Sequence, residues 1–152
     1  MNIHINDKKD IDKCLDIMKS LPEFFNQHGL ELFQEDVLVD ELITIEEDGI
    51  LYGFVTLKDK FENASEISWM AVKKELQRKG IGSRLILESI KNAQQSGKKI
   101  LMVKTLAETI EYEPYNKTRA FYEKNGFLPL EIIKDYPEWG PEHDCKIYIK
   151  II

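Results

Sequence analysis

The hydrophobic period of this chain changes twice, and that change limits the fold more than any other feature. From Leu42 the apolar residues follow a strand pattern: Leu42-Ile43-Thr44-Ile45, then Asp48-Gly49, then Ile50 to Leu57. This reads as a hairpin turning at Asp48-Gly49. Glu66 to Val72 is a further strand, so the three runs are expected to form an antiparallel meander. The period then lengthens. Ile81, Leu85, Ile86, Ile90 and Ala93 mark one face of a long helix from about Gly80 to Ser96, with Gly97 placed to end it. Lys99 to Leu106 is a largely apolar strand of the buried kind. A strand, a helix and a strand in series imply a right-handed crossover that sets the two strands parallel.

The flanks complete the order. Asn2 to Ile5 is a short strand, followed by a helix carrying Ile11, Leu15 and Met18, with Asp7 or Asp10 as its cap. Pro22 suits the first turn of a second helix containing Phe24 and Phe25. Asn116 can cap a shorter helix through Ala120, Phe121 and Tyr122, which Gly126 stops. Phe127 to Ile133 and Cys145 to Ile151 are the closing strands. The expected fold is a single-domain mixed α/β sheet of about seven strands, in the order β-α-α-β-β-β-α-β-α-β-β, with helices packed on it.

Composition excludes several functions. A chain of 152 residues fits one compact domain, here residues 1–152. Its net charge of -6 disfavours nucleic acid as a partner. Its apolar runs are too short to cross a membrane, and its start lacks the layout of a secretion signal, so a cytoplasmic location is expected. Cys14 and Cys145 are either reduced thiols or one long-range disulfide. His4, His28 and His143 have no metal-binding spacing, so no metal is expected.

Against the acidic background, Lys73, Lys74, Arg78, Lys79 and Arg84 form a local basic stretch, opposed only by Glu75. A bare charge run of this kind is usually a solvated face. Here Gly80-Ile81-Gly82 stands in the same stretch, at the start of a helix that follows a strand. Helix N-termini present unpaired N–H groups and partial positive charge to phosphates, and glycine lets the backbone approach closely. A Walker loop is absent, and a dinucleotide fingerprint would need glycine where Leu85 stands. By themselves the two glycines fit plain helix capping at least as well as phosphate binding.

Gln77-x-x-Gly80-x-Gly82 resembles the Q/R-x-x-G-x-G/A signature of the GNAT N-acetyltransferase superfamily. Glu66 through Val72 and the next ten residues resemble, without a gap, the strand-turn-helix segment of its histone acetyltransferase branch. Downstream, Phe121-Tyr122-Glu123-Lys124-Asn125-Gly126-Phe127 is similar to the superfamily's F/L-Y-x-x-x-G-F segment. The resemblance covers residues 66–127 and agrees with the order of elements. One departure is visible. The family's helix often begins with asparagine seven residues before the tyrosine, where this chain has Tyr115, with Asn116 one later.

The resemblance implies an acetyl-CoA-dependent N-acyltransferase that needs no metal. The coenzyme would be held by Gln77, Arg78, Lys79, Gly80, Ile81, Gly82 and Ser83 at its pyrophosphate. The backbone of Met70, Ala71 and Val72 would hold its pantetheine arm and thioester carbonyl, and Asn116 is a further cofactor contact or a helix cap. Tyr122 would be the general acid for the departing thiolate; otherwise it is a packed aromatic. Glu66 would be the base, a role that water relays can also fill; otherwise it is an exposed carboxylate at a strand end. The acceptor implied is a small-molecule or peptide amine, and dimers are common in the superfamily. Two acidic aromatic stretches would suit a cationic amine: Glu108, Glu111, Tyr112, Glu113 and Tyr115, and Asp135 to Trp139. His143 is an alternative base. The competing reading is a non-catalytic acyl-CoA sensor, which needs neither Glu66 nor Tyr122.

Overall fold

The computed structural model describes residues 1–152. Its strands are β1 (Asn2–Ile5), β2 (Glu41–Glu47), β3 (Ile50–Phe61), β4 (Ala64–Val72), β5 (Ile100–Leu106), β6 (Leu128–Ile133) and β7 (Cys145–Ile151). Its helices are α1 (Ile11–Lys19), α2 (Gln27–Asp36), α3 (Ile81–Gln95) and α4 (Pro114–Lys124), with short 3-10 turns at Lys8–Asp10 and Lys74–Leu76. The strands form one seven-stranded sheet in the order β1-β2-β3-β4-β5-β7-β6. The expected element order and antiparallel meander are both present, and the β4–β5 pair is parallel. At the hairpin turn Asp48 and Gly49 have φ of 52° and 78°, the left-handed pair that a primed turn needs.

Helices cover both faces. On one, Ile81, Leu85 and Ile86 of α3 and Tyr122 of α4 pack on Ile43, Val55, Ile67, Leu101 and Val103. On the other, Leu15 and Met18 of α1 and Leu30 and Phe33 of α2 pack on Leu42, Phe54 and Ala71. No helix is long and apolar enough to cross a membrane. Cys14 and Cys145 are both buried and unpaired.

Three local expectations fail, each for a physical reason. Pro22, Phe24 and Phe25 precede α2 instead of opening it, because Asn26 is the cap. Its side chain accepts from the Gly29 N–H at 2.8 Å. Asn116 is not a cap, because Pro114 already occupies the first turn of α4 and Glu113 precedes it. Asp7 caps only the 3-10 turn, while Asp10, in the cap position of α1, turns its buried carboxylate to Thr44 at 3.0 Å and His4 at 3.3 Å.

Two features of β4 position the site. Thr56 of β3 pairs with Trp69 and Leu57 pairs with Ile67, so Ser68 is an extra residue, a β-bulge. The bulge resets the alternation. Ile67 faces the α3 side before it, Met70 and Val72 face that side after it, and Trp69 and Ala71 face α1 and α2. The second feature is the short parallel pairing. β4 and β5 match only from Ala64–Ile100 to Ile67–Val103, while β5 stays paired with β7 to its end. Beyond Ile67 the strands part.

Candidate active site

The wedge between the parted strands exposes the β5-facing backbone of Ser68–Val72, which has no strand partner on that side. Tyr122 of α4 closes the wedge from the α3 face. It is buried among Phe121 and Phe127, with ring centroids at 5.2 and 5.4 Å. Its hydroxyl donates to the Met70 Sδ at 3.8 Å, a weak thioether acceptor that a stronger one can displace. Burial, with the nearby Tyr115 phenol adding to it, pushes the Tyr122 hydroxyl well above its ordinary pKa, so it stays protonated.

The glycine-rich turn faces the same wedge. The Gln77 side chain donates to the Val72 carbonyl at 3.1 Å, tying the turn to the end of β4. Arg78 and Gly80 have φ of 63° and 86°. The left-handed conformation is natural for Gly80, which stands in the cap position before α3 and offers no side-chain cap. The N–H groups of Ile81, Gly82 and Ser83 therefore point out of the helix without intrahelical partners. A Cβ on Gly82 would lie 2.9 Å from Phe121 Cε1 and 3.5 Å from Met70 Cε, so glycine permits the approach of α3 to α4. Arg84 pairs with Glu88 at 2.9 Å and Lys73 with Glu75 at 3.7 Å, whereas the exposed Arg78 and Lys79 have no carboxylate partner. The result is a cationic helix start with free donors.

Glu66 lies on the opposite face. It is buried, not an exposed strand-end group, and pairs with Lys60 at 3.4 Å and Lys104 at 3.5 Å. Burial works against the charge on Lys104, but Tyr136 and Glu66 together hold its ammonium above the ordinary value. Glu66, Lys60 and Lys104 line a polar cavity of about 150 Å³ with Ser68 and Trp69 of the bulge. Ser68 donates to Asp40 at 2.8 Å and Trp69 to Asp36 at 2.8 Å, which clamps the bulge to the end of α2 and to the turn that follows it.

A second cleft, of about 390 Å³, opens between three segments distant in sequence: Pro22–Asn26, Leu106–Tyr115, and the loop holding Trp139 and His143. Both acidic aromatic stretches expected at an acceptor site contribute to it, through Glu111, Tyr112 and Tyr115 and through Trp139. Tyr112 donates to the Glu23 carbonyl at 2.6 Å, and Phe24 meets Tyr115 edge-on at 5.4 Å. Asn116 lies outside the cleft, accepting from the Arg119 guanidinium, which also holds the Leu106 carbonyl.

The buried Arg119 and Asp144 escaped the sequence reading. Asp144 accepts from Thr109 at 2.6 Å and from the Asp135 N–H at 2.9 Å, joining the two loops that flank the cleft. These hydrogen bonds hold its carboxyl below the usual range. Since the folded-state pKa is depressed, the stabilisation is present above about pH 3.9 and is lost as pH falls through the lower folded value. Asp144→Asn is therefore expected to lower the melting temperature at neutral pH, with the gap from the native chain closing in strong acid. A gap independent of pH would contradict this role.

A parted parallel pair facing an uncapped, cationic helix start has the features that accommodate a phosphate-bearing ligand beside strand backbone. The model of the acetyltransferase (GNAT) domain matches residues 39–129, and the chain belongs to the GNAT acetyltransferase family. The fold agrees with solved structures. A GNAT-family protein of Desulfovibrio desulfuricans superposes with a TM-score of 0.85 at 21% identity, over 99% of each chain. A Bacillus subtilis acetyltransferase in complex with CoA gives 0.79 at 20% identity, over 99% of this chain and 98% of that one. A GNAT family acetyltransferase from Elizabethkingia anophelis, with acetyl-CoA bound, gives 0.77 at 20% identity, over 99% and 97%. No curated protein matches the chain in sequence.

Proposed function

We propose that residues 1–152 act as one N-acetyltransferase domain, moving an acetyl group from acetyl-CoA to a primary amine by direct attack on the thioester. The observation that carries the reading is the wedge between β4 and β5, with the uncapped start of α3 at one side and Tyr122 at the other. Arg78, Lys79 and the N–H groups of Gly80, Ile81, Gly82 and Ser83 receive the pyrophosphate, while Gln77 fixes the turn that presents them. The unpaired backbone of Met70, Ala71 and Val72 receives the pantetheine arm, and an N–H there polarises the thioester carbonyl. Asn116, whose side-chain oxygen accepts from Arg119, is a further cofactor contact.

An alkyl ammonium has a pKa of roughly 10.4, so a proton must leave the amine before or during attack. Glu66, or a water relay in place of a dedicated base, takes that proton. The C–N bond forms, the C–S bond breaks, and Tyr122 donates its proton to the thiolate. The chain supplied with acetyl-CoA and primary amines is expected to release free thiol and acetylated amine in equal amounts. Binding of acetyl-CoA with no transfer to any amine would contradict this reading and favour the acyl-CoA sensor.

A further inference from the structure

We infer that the larger cleft selects linear alkyl amines bearing a second cationic group, diamines and longer polyamines. This rests on the proposed transfer reaction. The cleft adjoins the acid: Tyr115 in its wall stands two turns before Tyr122 on the same face of α4, and Leu106, also in its wall, ends the strand that parts from β4. Glu23 and Glu111 line it, neither forms an ion pair, and no lysine or arginine lines it. Phe24, Tyr112, Tyr115 and Trp139 supply aromatic surface.

The charges decide which amine benefits. The attacking nitrogen must be uncharged when it attacks and carries only a developing positive charge as the C–N bond forms, so it gains less from carboxylates than a full ammonium does. A second ammonium that does not react keeps its charge throughout and gains from both the carboxylates and the aromatic faces. The wall chemistry separates alkyl chains from amino sugars. Sugar hydroxyls need many hydrogen-bonding partners, whereas the wall is mostly apolar and the Tyr112 hydroxyl already donates to Glu23.

The test compares pentylamine, 1,5-diaminopentane, an aminoglycoside and an amino acid as acceptors, reading acetylated product. Two exposed ion pairs and a cation–π contact favour the diamine over pentylamine by about tenfold in kcat/KM at low salt. The ratio is expected to shrink with added salt and in Glu23→Gln and Glu111→Gln. Equal kcat/KM for the two amines, a ratio untouched by both substitutions, or preference for the aminoglycoside or amino acid would overturn the assignment. If acetyl-CoA raises the melting temperature but no diamine is acetylated, the acceptor class fails while the cofactor reading stands. If acetyl-CoA does not bind, both fail.

Discussion

Tyr122→Phe is expected to lower kcat by about a hundredfold or more while leaving the affinity for coenzyme A nearly unchanged. The substitution removes one oxygen from a side chain that already fills its site among Phe121 and Phe127. The hydrogen bond lost in the free protein is the weak one to the Met70 sulfur, so the variant should fold and melt much like the native chain. What disappears is the proton donor beside the wedge. The raised pKa of this phenol also fixes a sign: the acid form persists above the ordinary tyrosine value, so Tyr122 should cause no loss of rate on the alkaline side up to about pH 10. Saturation kinetics and calorimetric titration check both halves. Unchanged turnover would remove Tyr122 from the mechanism, and loss of coenzyme affinity would make it a packing residue.

The second large effect is expected at Gly82. Valine there would place its Cβ 2.9 Å from Phe121 Cε1 and 3.0 Å from Cζ, and its methyl groups would crowd further. Either the Phe121 ring or the first turn of α3 must give way, and both border the wedge. Overpacking of this kind costs about 1–3 kcal/mol. The clash is present in the free protein, so it lowers the melting temperature, and the displaced first turn of α3 weakens coenzyme binding by roughly tenfold to a hundredfold. Gly80→Ala is the matched control. No atom lies within 4 Å of its added Cβ, but φ of 86° strains the alanine. That costs roughly 1–2 kcal/mol of stability, while the N–H groups remain in place. Gly82→Val should thus lower both affinity and melting temperature, and Gly80→Ala chiefly the melting temperature. Equal affinities in the two variants would mean that the approach of α3 to α4 does not shape the site.

The contrast between these glycines shows how much of the molecule was legible in its sequence. Periodicity and punctuation carry local information, so the Asp48-Gly49 hairpin, the α3 pattern and the Cys145–Ile151 strand all emerged at nearly their observed bounds. The start of α2 did not, because Pro22 and the two phenylalanines mimic a helix start that the Asn26 side chain sets four residues later. The bulge at Ser68 was invisible as well. An inserted residue shows only when the partner strand is known, and it is the bulge that turns Met70 and Val72 toward α3.

The phosphate-binding turn is contiguous in sequence and could be read there. The larger cleft is made of segments around residues 23, 111 and 139, whose contacts, such as Tyr112 to Glu23, span 89 positions. Residue types in the two acidic aromatic stretches hinted at a cationic acceptor, but only the fold brought Glu23 and Phe24 to them. Glu66 illustrates the limit in the other direction. Its position in the strand was legible, while its two lysine partners, from β3 and β5, were not.

The central claim is that acetyl-CoA occupies the wedge between β4 and β5 against the start of α3. Titrating the isotope-labelled protein with acetyl-CoA and following backbone amide resonances tests it directly. The largest saturable shifts are expected at Met70, Ala71 and Val72 and at Gly80 through Ser83, with β1 and β6 unaffected. Shifts confined to other regions, or no saturation at millimolar ligand, would contradict the account.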